Sequence, residues 1–240
     1  MCGQFGISKR HMTEIESQTF FELMRMRGTV LELVSFDVDG TLLRGRILNH
    51  LRIPQESHDK IAALHELFHL GRLGYEETLR AQFSLLKGMR AHDITPHATD
   101  LPLVNDVRTT IERLNLRGTK AVILTDNLSF VVEPLKMYGF QGVIASEIEI
   151  QDGVLTDRMK LLTNKLQALR EYCTEEGIET TRCAHVGDGF NDVVAFKGAG
   201  LSVAFNSHED NVSKAATYRI GGNSLLDVYR VLEPNLPMQP

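Results

Sequence analysis

Asp37 and Asp39 stand one residue apart at the end of an apolar run, in the stretch LELVSFDVDGT at residues 31–41. Side chains alternate along a strand, so both carboxylates leave it on one side while Val38 points away. Gly40 permits the sharp exit that keeps the two acids at the strand end. Two acids leave the sheet together, and any chemistry they do needs partners from elsewhere in the chain. A hairpin corner with solvated acids is the plain alternative for DVDG taken alone. A helix-flanked calcium loop fits less well. It asks for about five oxygen ligands within roughly twelve residues and a closing glutamate, whereas Leu42, Leu43, Ile47 and Leu48 follow here.

Three further sites lie downstream. Thr125 follows a second apolar strand at residues 121–124, and Lys165 opens a helical segment. A third strand at residues 183–186 runs into Gly187-Asp188-Gly189-Phe190-Asn191-Asp192. Each alone has a dull explanation: a helix-capping threonine, a solvated lysine, an aspartate in a turn. Together they give the order acid pair, hydroxyl, lysine, acid pair. In that order the chain resembles the haloacid dehalogenase-type phosphohydrolases, whose motifs are DxDGT, a Ser or Thr after a strand, a Lys, and GDxxxD. Within that superfamily it is most similar to the phosphoserine phosphatases, over about residues 30–232. GYEETLRAQFSLLKGM and HVGDGFNDVVAFKGAGLSVAF look like that branch's cap and fourth-motif segments.

The resemblance implies a phosphomonoesterase. Asp37 is then the nucleophile that forms an aspartyl-phosphate, and Asp39 protonates the leaving group and later deprotonates water. Thr125 and Lys165 hold the phosphoryl oxygens. A dianionic phosphate facing four carboxylates needs a counter-charge, which implies Mg2+ held by Asp37, the main-chain carbonyl of Asp39, and Asp188. Asn191 and Asp192 support the metal or phosphate from beside it. The substrate is a small phosphorylated metabolite.

Two departures bear on which metabolite. Many phosphoserine phosphatases have two glycines after the second-motif hydroxyl, whereas Asp126 and Asn127 follow Thr125 here. By the same resemblance Arg80, in the second cap helix, holds the substrate carboxylate. The family's ammonium-binding glutamate, nine residues after the nucleophile, is replaced by Arg46. The reversed sign favours a phosphorylated carboxylate without an amine, of the phosphoglycolate or phosphoglycerate type, unless Glu76 or Glu77 reaches the amine instead.

His65-Glu66-Leu67-Phe68-His69 matches the HExxH zinc-hydrolase pattern, which sets two imidazoles on one helix face with Glu66 as a base. No third histidine follows within the next twenty or so residues, and the stretch also reads as an amphipathic helix with Leu64, Leu67 and Phe68 inward. Both histidines are therefore expected to be structural. A non-enzymatic binding module is the other remote reading, against which the intact acid set speaks.

The elements that must position these groups alternate strand and helix, which predicts an α/β fold with a three-layer, Rossmann-like parallel sheet and the site beyond the strands' carboxyl ends. Residues 45–100 carry helical periodicity alone and read as a small inserted cap between core segments 30–44 and 101–240. Residues 1–29 form an extension, with a helix expected at 13–27. Residues 147–156 contain Asp152-Gly153 between alternating apolar residues, a hairpin signal. The 240 residues, 42% hydrophobic and 24% charged with a net charge of -5, are ordinary for a globular protein and carry no basic run for nucleic acid. Three scattered cysteines and no apolar run of about 18 residues lead to the expectation of a cytoplasmic protein outside the membrane, monomeric or homodimeric.

Overall fold

The structure is a computed structural model that describes residues 30–238; the helix expected at residues 13–27 lies outside them. Seven strands form one sheet in the order β4-β3-β2-β1-β5-β6-β7. They are β1 (Leu33–Phe36), β2 (Lys120–Leu128), β3 (Gly142–Gln151), β4 (Val154–Lys160), β5 (Cys183–Gly187), β6 (Leu201–Phe205) and β7 (Tyr218–Ile220). All pair in parallel except β4, which returns antiparallel to β3. That return is the expected hairpin. Asp152 and Gly153 both take positive φ, 51° and 80°, as a two-residue turn with matching twist requires.

β1 and β2 are apolar on both faces because both faces are covered. Val34, Phe36, Ala121 and Ile123 point to one side and Leu33, Val122 and Leu124 to the other, in separate apolar clusters. The helices are α1 (Gln55–His69), α2 (Tyr75–Ser84), α3 (Ala91–Ile94), α4 (Val107–Leu116), α5 (Ser129–Val132), α6 (Lys165–Glu176), α7 (Val193–Gly198), α8 (Asp210–Ala215) and α9 (Leu226–Leu232). α4 and α9 cover the first face through Ile111, Leu114, Val228 and Leu232. α6 covers the second through Leu169 and Cys173. The result is the three-layer α/β arrangement.

α1, α2 and α3 fall between β1 and β2 and supply the helical cap. Ile61, Leu79, Phe83 and Leu86 are buried in the same cluster as Phe36 and Val38, so the cap shares the main core. Truncating fully buried Phe83 to alanine would cost about 3–5 kcal/mol. The hairpin braces the cap, since the Gly88 and Ala91 amides donate to Leu155 O and Gly153 O (2.9 and 3.0 Å).

α5 is α-helical only to Val132, and the chain continues as a 3-10 segment, Glu133–Tyr138, because Pro134 cannot donate to the ladder. Residues 93–103 contain the end of α3 and a 3-10 turn at Ala98–Asp100. α6 starts at Lys165, the residue expected to open it, since Asn164 caps it by accepting from the Gln167 amide (3.0 Å).

Candidate active site

The chain moves from β1 outward to β2 and β3, then restarts on the other side with β5, β6 and β7, so strand order reverses at the β1–β5 seam. Ligand crevices of open α/β sheets form at that kind of position. Asp37 follows β1 and continues the side-chain alternation of Leu33 and Ser35, toward the face that α6 covers. There Lys165, the first residue of α6 and almost fully buried, places Nζ 2.8 Å from Asp37 Oδ1 and 2.6 Å from Asp192 Oδ1. Burial pulls the lysine pKa down, but Asp192 and Asp37 together hold it well above its ordinary value. The ammonium is thus fixed between two acids. Asp192 also accepts from His185 Nε2 (2.9 Å) and from the Asp188 and Gly189 amides (3.0 Å each). Against the cost of burial, Lys165 and His185 hold its carboxyl below the ordinary range.

The remaining acids lack such partners. Burial, with Lys165 only partly opposing it, raises the Asp37 pKa well above normal. Asp37 Oδ1 has the lysine charge beside it but accepts no well-aligned hydrogen bond. Asp188 is pushed up to about 7 by burial and then by Asp192, although Thr41 Oγ1 donates to it (3.2 Å). Asp39 is pushed up to about 6 by burial, against the Ile47 amide that donates to Oδ1 at 2.8 Å. Gly40 is demanded twice over: its φ is +74°, and a Cβ there would lie 2.1 Å from Asp188 Oδ2. Oxygens of Asp37, Asp188 and Asp192 can all lie within 4.8 Å of one another, and among the described residues no other such group of three occurs. An orphaned carboxylate oxygen and acids forced toward protonation by burial and neighbouring charge fit a divalent cation with oxygen ligands. Asp192 has already spent its oxygens on four donors, so Asp37 and Asp188 are the side chains available to one.

Thr125 is fully buried near the end of β2, and its oxygen accepts from Asn127 N (3.4 Å) and Nδ2 (3.1 Å), leaving its own proton for another acceptor. Asp126 turns toward the cap. Tyr75 Oη, at the start of α2, donates to Asp126 Oδ2 (2.6 Å), and Asn191 Nδ2 donates to the same oxygen (3.2 Å) and to Tyr75 Oη (3.3 Å). The Tyr75 ring meets Phe190 edge-on at 5.2 Å and Phe68 at 6.1 Å. Cap and core are therefore tied directly above the acids.

Between them lies a cavity of about 330 Å³, which Asp37, Asp39, Asp126, Asn127, Asp188 and Asn191 line on the core side. Arg46 lines it too, with Nε 4.0 Å from Asp39 Oδ2. Arg80 is not brought there: its Nη2 donates to Glu76 Oε1 (2.8 Å) on the half-exposed outside of α2, so its expected contact with substrate has no basis in this arrangement. His65 and His69 face the cavity from α1 with ring centroids 4.3 Å apart, and no third metal-ligating side chain joins them among the described residues. Exposed Glu66 points elsewhere.

Comparison with known proteins agrees with this geometry. Residues 34–197 match the sequence pattern of the haloacid dehalogenase-like hydrolases. The chain belongs to that family. It is similar to a phosphoserine phosphatase of Mycobacterium tuberculosis, 33% identical over 180 residues that make up 73% of this chain and 44% of the relative. It is also similar to one of Archaeoglobus fulgidus, 29% identical over 74% of this chain and 53% of the relative. The chain thus spans about half the length of these two relatives. Among solved structures, a phospho-aspartyl intermediate analogue of phosphoserine phosphatase superposes with a TM-score of 0.67 at 25% identity, covering 85% of this chain and 99% of the other.

In this member of the hydrolase family, four positioning side chains, Ser35, His185, Tyr75 and Gln82, escape sequence reasoning. Ser35 Oγ lies 2.9 Å from His185 Nδ1, and both are fully buried. Burial lowers the His185 pKa, so the ring is neutral; the tautomer that fits donates from Nε2 to Asp192 and accepts at Nδ1. A polar residue at the same parity in two paired strands was the available signal. Tyr75 and Gln82 had none, because their partners lie far away in sequence. No helix among the described residues is long and apolar enough to cross a membrane.

Proposed function

We propose that the chain is a magnesium-dependent phosphomonoester hydrolase that works through an aspartyl-phosphate on Asp37. The observation that carries this reading is Lys165, buried between Asp37 and Asp192 at the sheet's switch point. The lysine orients one Asp37 oxygen and leaves a fixed positive charge where a phosphoryl group arrives. Thr125 donates its hydroxyl to that group. Asp39, with a pKa near 6, carries a proton part of the time near neutral pH. It can give that proton to the leaving oxygen and take another from the water that releases phosphate.

Asp37, Asp188 and the main-chain carbonyl of Asp39 would hold Mg2+, with Asn191 and Asp192 behind them. The ion supplies charge neutralisation, so that a dianionic phosphate can approach the acids. The substrate in this reading is a small phosphorylated carboxylate, which the relatives' names support. A reducing, cytoplasmic setting is consistent with Cys173 and Cys183, both free and buried.

Replacing Asp37 with Asn tests the mechanism. Turnover of p-nitrophenyl phosphate should vanish while the far-UV circular dichroism is unchanged; full activity in the variant would refute it.

A further inference from the structure

One side of the cavity, next to Asp39, holds a single cation, Arg46. Gln82 is fully buried, its amide nitrogen donates to Ile61 O (3.0 Å), and its oxygen is thereby aimed at Arg46 Nη2 (3.3 Å). The guanidinium is fixed in the cleft, and Gln82 takes the one hydrogen bond it makes among the described residues. A guanidinium has five donors in a planar fork, so a bidentate face remains for a carboxylate.

Asp39, at 4.0 Å, is the one acid in ion-pair contact with it among the described residues. Glu76 is paired with Arg80 outside the cleft, and Glu77 is exposed with its carboxylate toward the Gly74 amide (3.4 Å). Glu66 is exposed on the far side of α1. Asp126 is engaged by Tyr75 and Asn191. An ammonium on the leaving group would be repelled by Arg46, and the carboxylates that line the cleft, Asp37, Asp39, Asp126 and Asp188, stand on its core side. His65 and His69 offer ring nitrogens to a hydroxyl instead, and His65 is kept neutral by burial, Arg46 and His69, with its pKa lowered to about 4.

Distance limits the leaving group further. Asp39 must reach the ester oxygen, and Arg46 Nε is only 4.0 Å from Asp39. A leaving group that meets both side chains therefore carries its carboxylate on the same side of the cleft as the ester oxygen.

We propose that this cleft selects small phosphorylated hydroxy acids that carry a carboxylate and no ammonium, with Arg46 as the specificity-determining residue. The inference rests on the phosphatase reading. Its test is kcat/KM for 2-phosphoglycolate, 3-phosphoglycerate and phosphoserine, with p-nitrophenyl phosphate in Mg2+ as the control. The two amine-free acids should lead phosphoserine by tenfold or more, and Arg46→Gln and Arg46→Glu should each shrink that ratio at least fivefold. Using the ratio cancels any effect of Arg46 on neighbouring Asp39. Phosphoserine in the lead, or a ratio that both variants leave within twofold, overturns the inference while the phosphatase reading stands. Failure to turn over any ester, the aryl phosphate included, overturns both.

Discussion

Tyr75 of the cap donates its hydroxyl to Asp126 of the core at 2.6 Å, and both line the cavity that Asp37 also lines. Tyr75 opens α2 and Asp126 lies in β2, so the bond ties cap to core at the cleft. Burial and the Asp126 carboxylate push the phenol pKa far above its ordinary value, so the proton stays on the oxygen and remains available to donate. A hydrogen bond to a charged acceptor contributes about 1.5–3 kcal/mol. Tyr75→Phe should keep the ring's contacts with Phe68 and Phe190 and lower kcat/KM by about tenfold, roughly 1.4 kcal/mol. An unchanged kcat/KM would show that this tie plays no part in turnover.

Cation dependence should be visible without catalysis. Burial and mutual repulsion raise the pKa values of Asp37 and Asp188, so an ion that neutralises them stabilises the folded state by mass action. Millimolar Mg2+ should raise the melting temperature of the wild type by a few degrees, and Asp188→Asn should remove most of that rise. Equal shifts in both proteins would place the ion elsewhere.

His65 gives a pH signature. Its pKa is lowered to about 4 by burial, then by Arg46 and His69. A folded value below the unfolded one, near 6.5, means that the neutral ring favours folding. Its contribution is present above about pH 6.5 and is lost as pH falls toward 4. NMR titration should place the His65 midpoint near 4, and Arg46→Gln should move it upward. A midpoint near 6.5 in the wild type would show that the imidazole is solvated and not held beside Arg46.

Asp37, Thr125 and Asp188 were legible because each follows an apolar run that stops at a polar residue or glycine, and Lys165 because it opens a helical segment. The hairpin was legible for a similar reason, since Asp152-Gly153 is a local turn signal. What failed was orientation. Whether Arg80 enters the cleft depends on which face α2 turns inward, and its partner Glu76, one helical turn earlier, was the clue that it stays outside. His65 and His69 were expected to be structural for want of a third zinc ligand, and they line the cavity, because α1 packs over an open cleft as well as over the core. The Ser35–His185–Asp192 chain and the Tyr75–Asp126–Asn191 triangle join residues that only the tertiary fold brings together.

The stereochemistry of transfer tests the covalent mechanism most directly. With a substrate made chiral at phosphorus by oxygen isotopes, attack by Asp37 followed by attack of water gives two in-line displacements, each inverting the centre. The phosphate released should show overall retention of configuration. Inversion would mean a single displacement by water, and Asp37 would then not be the nucleophile.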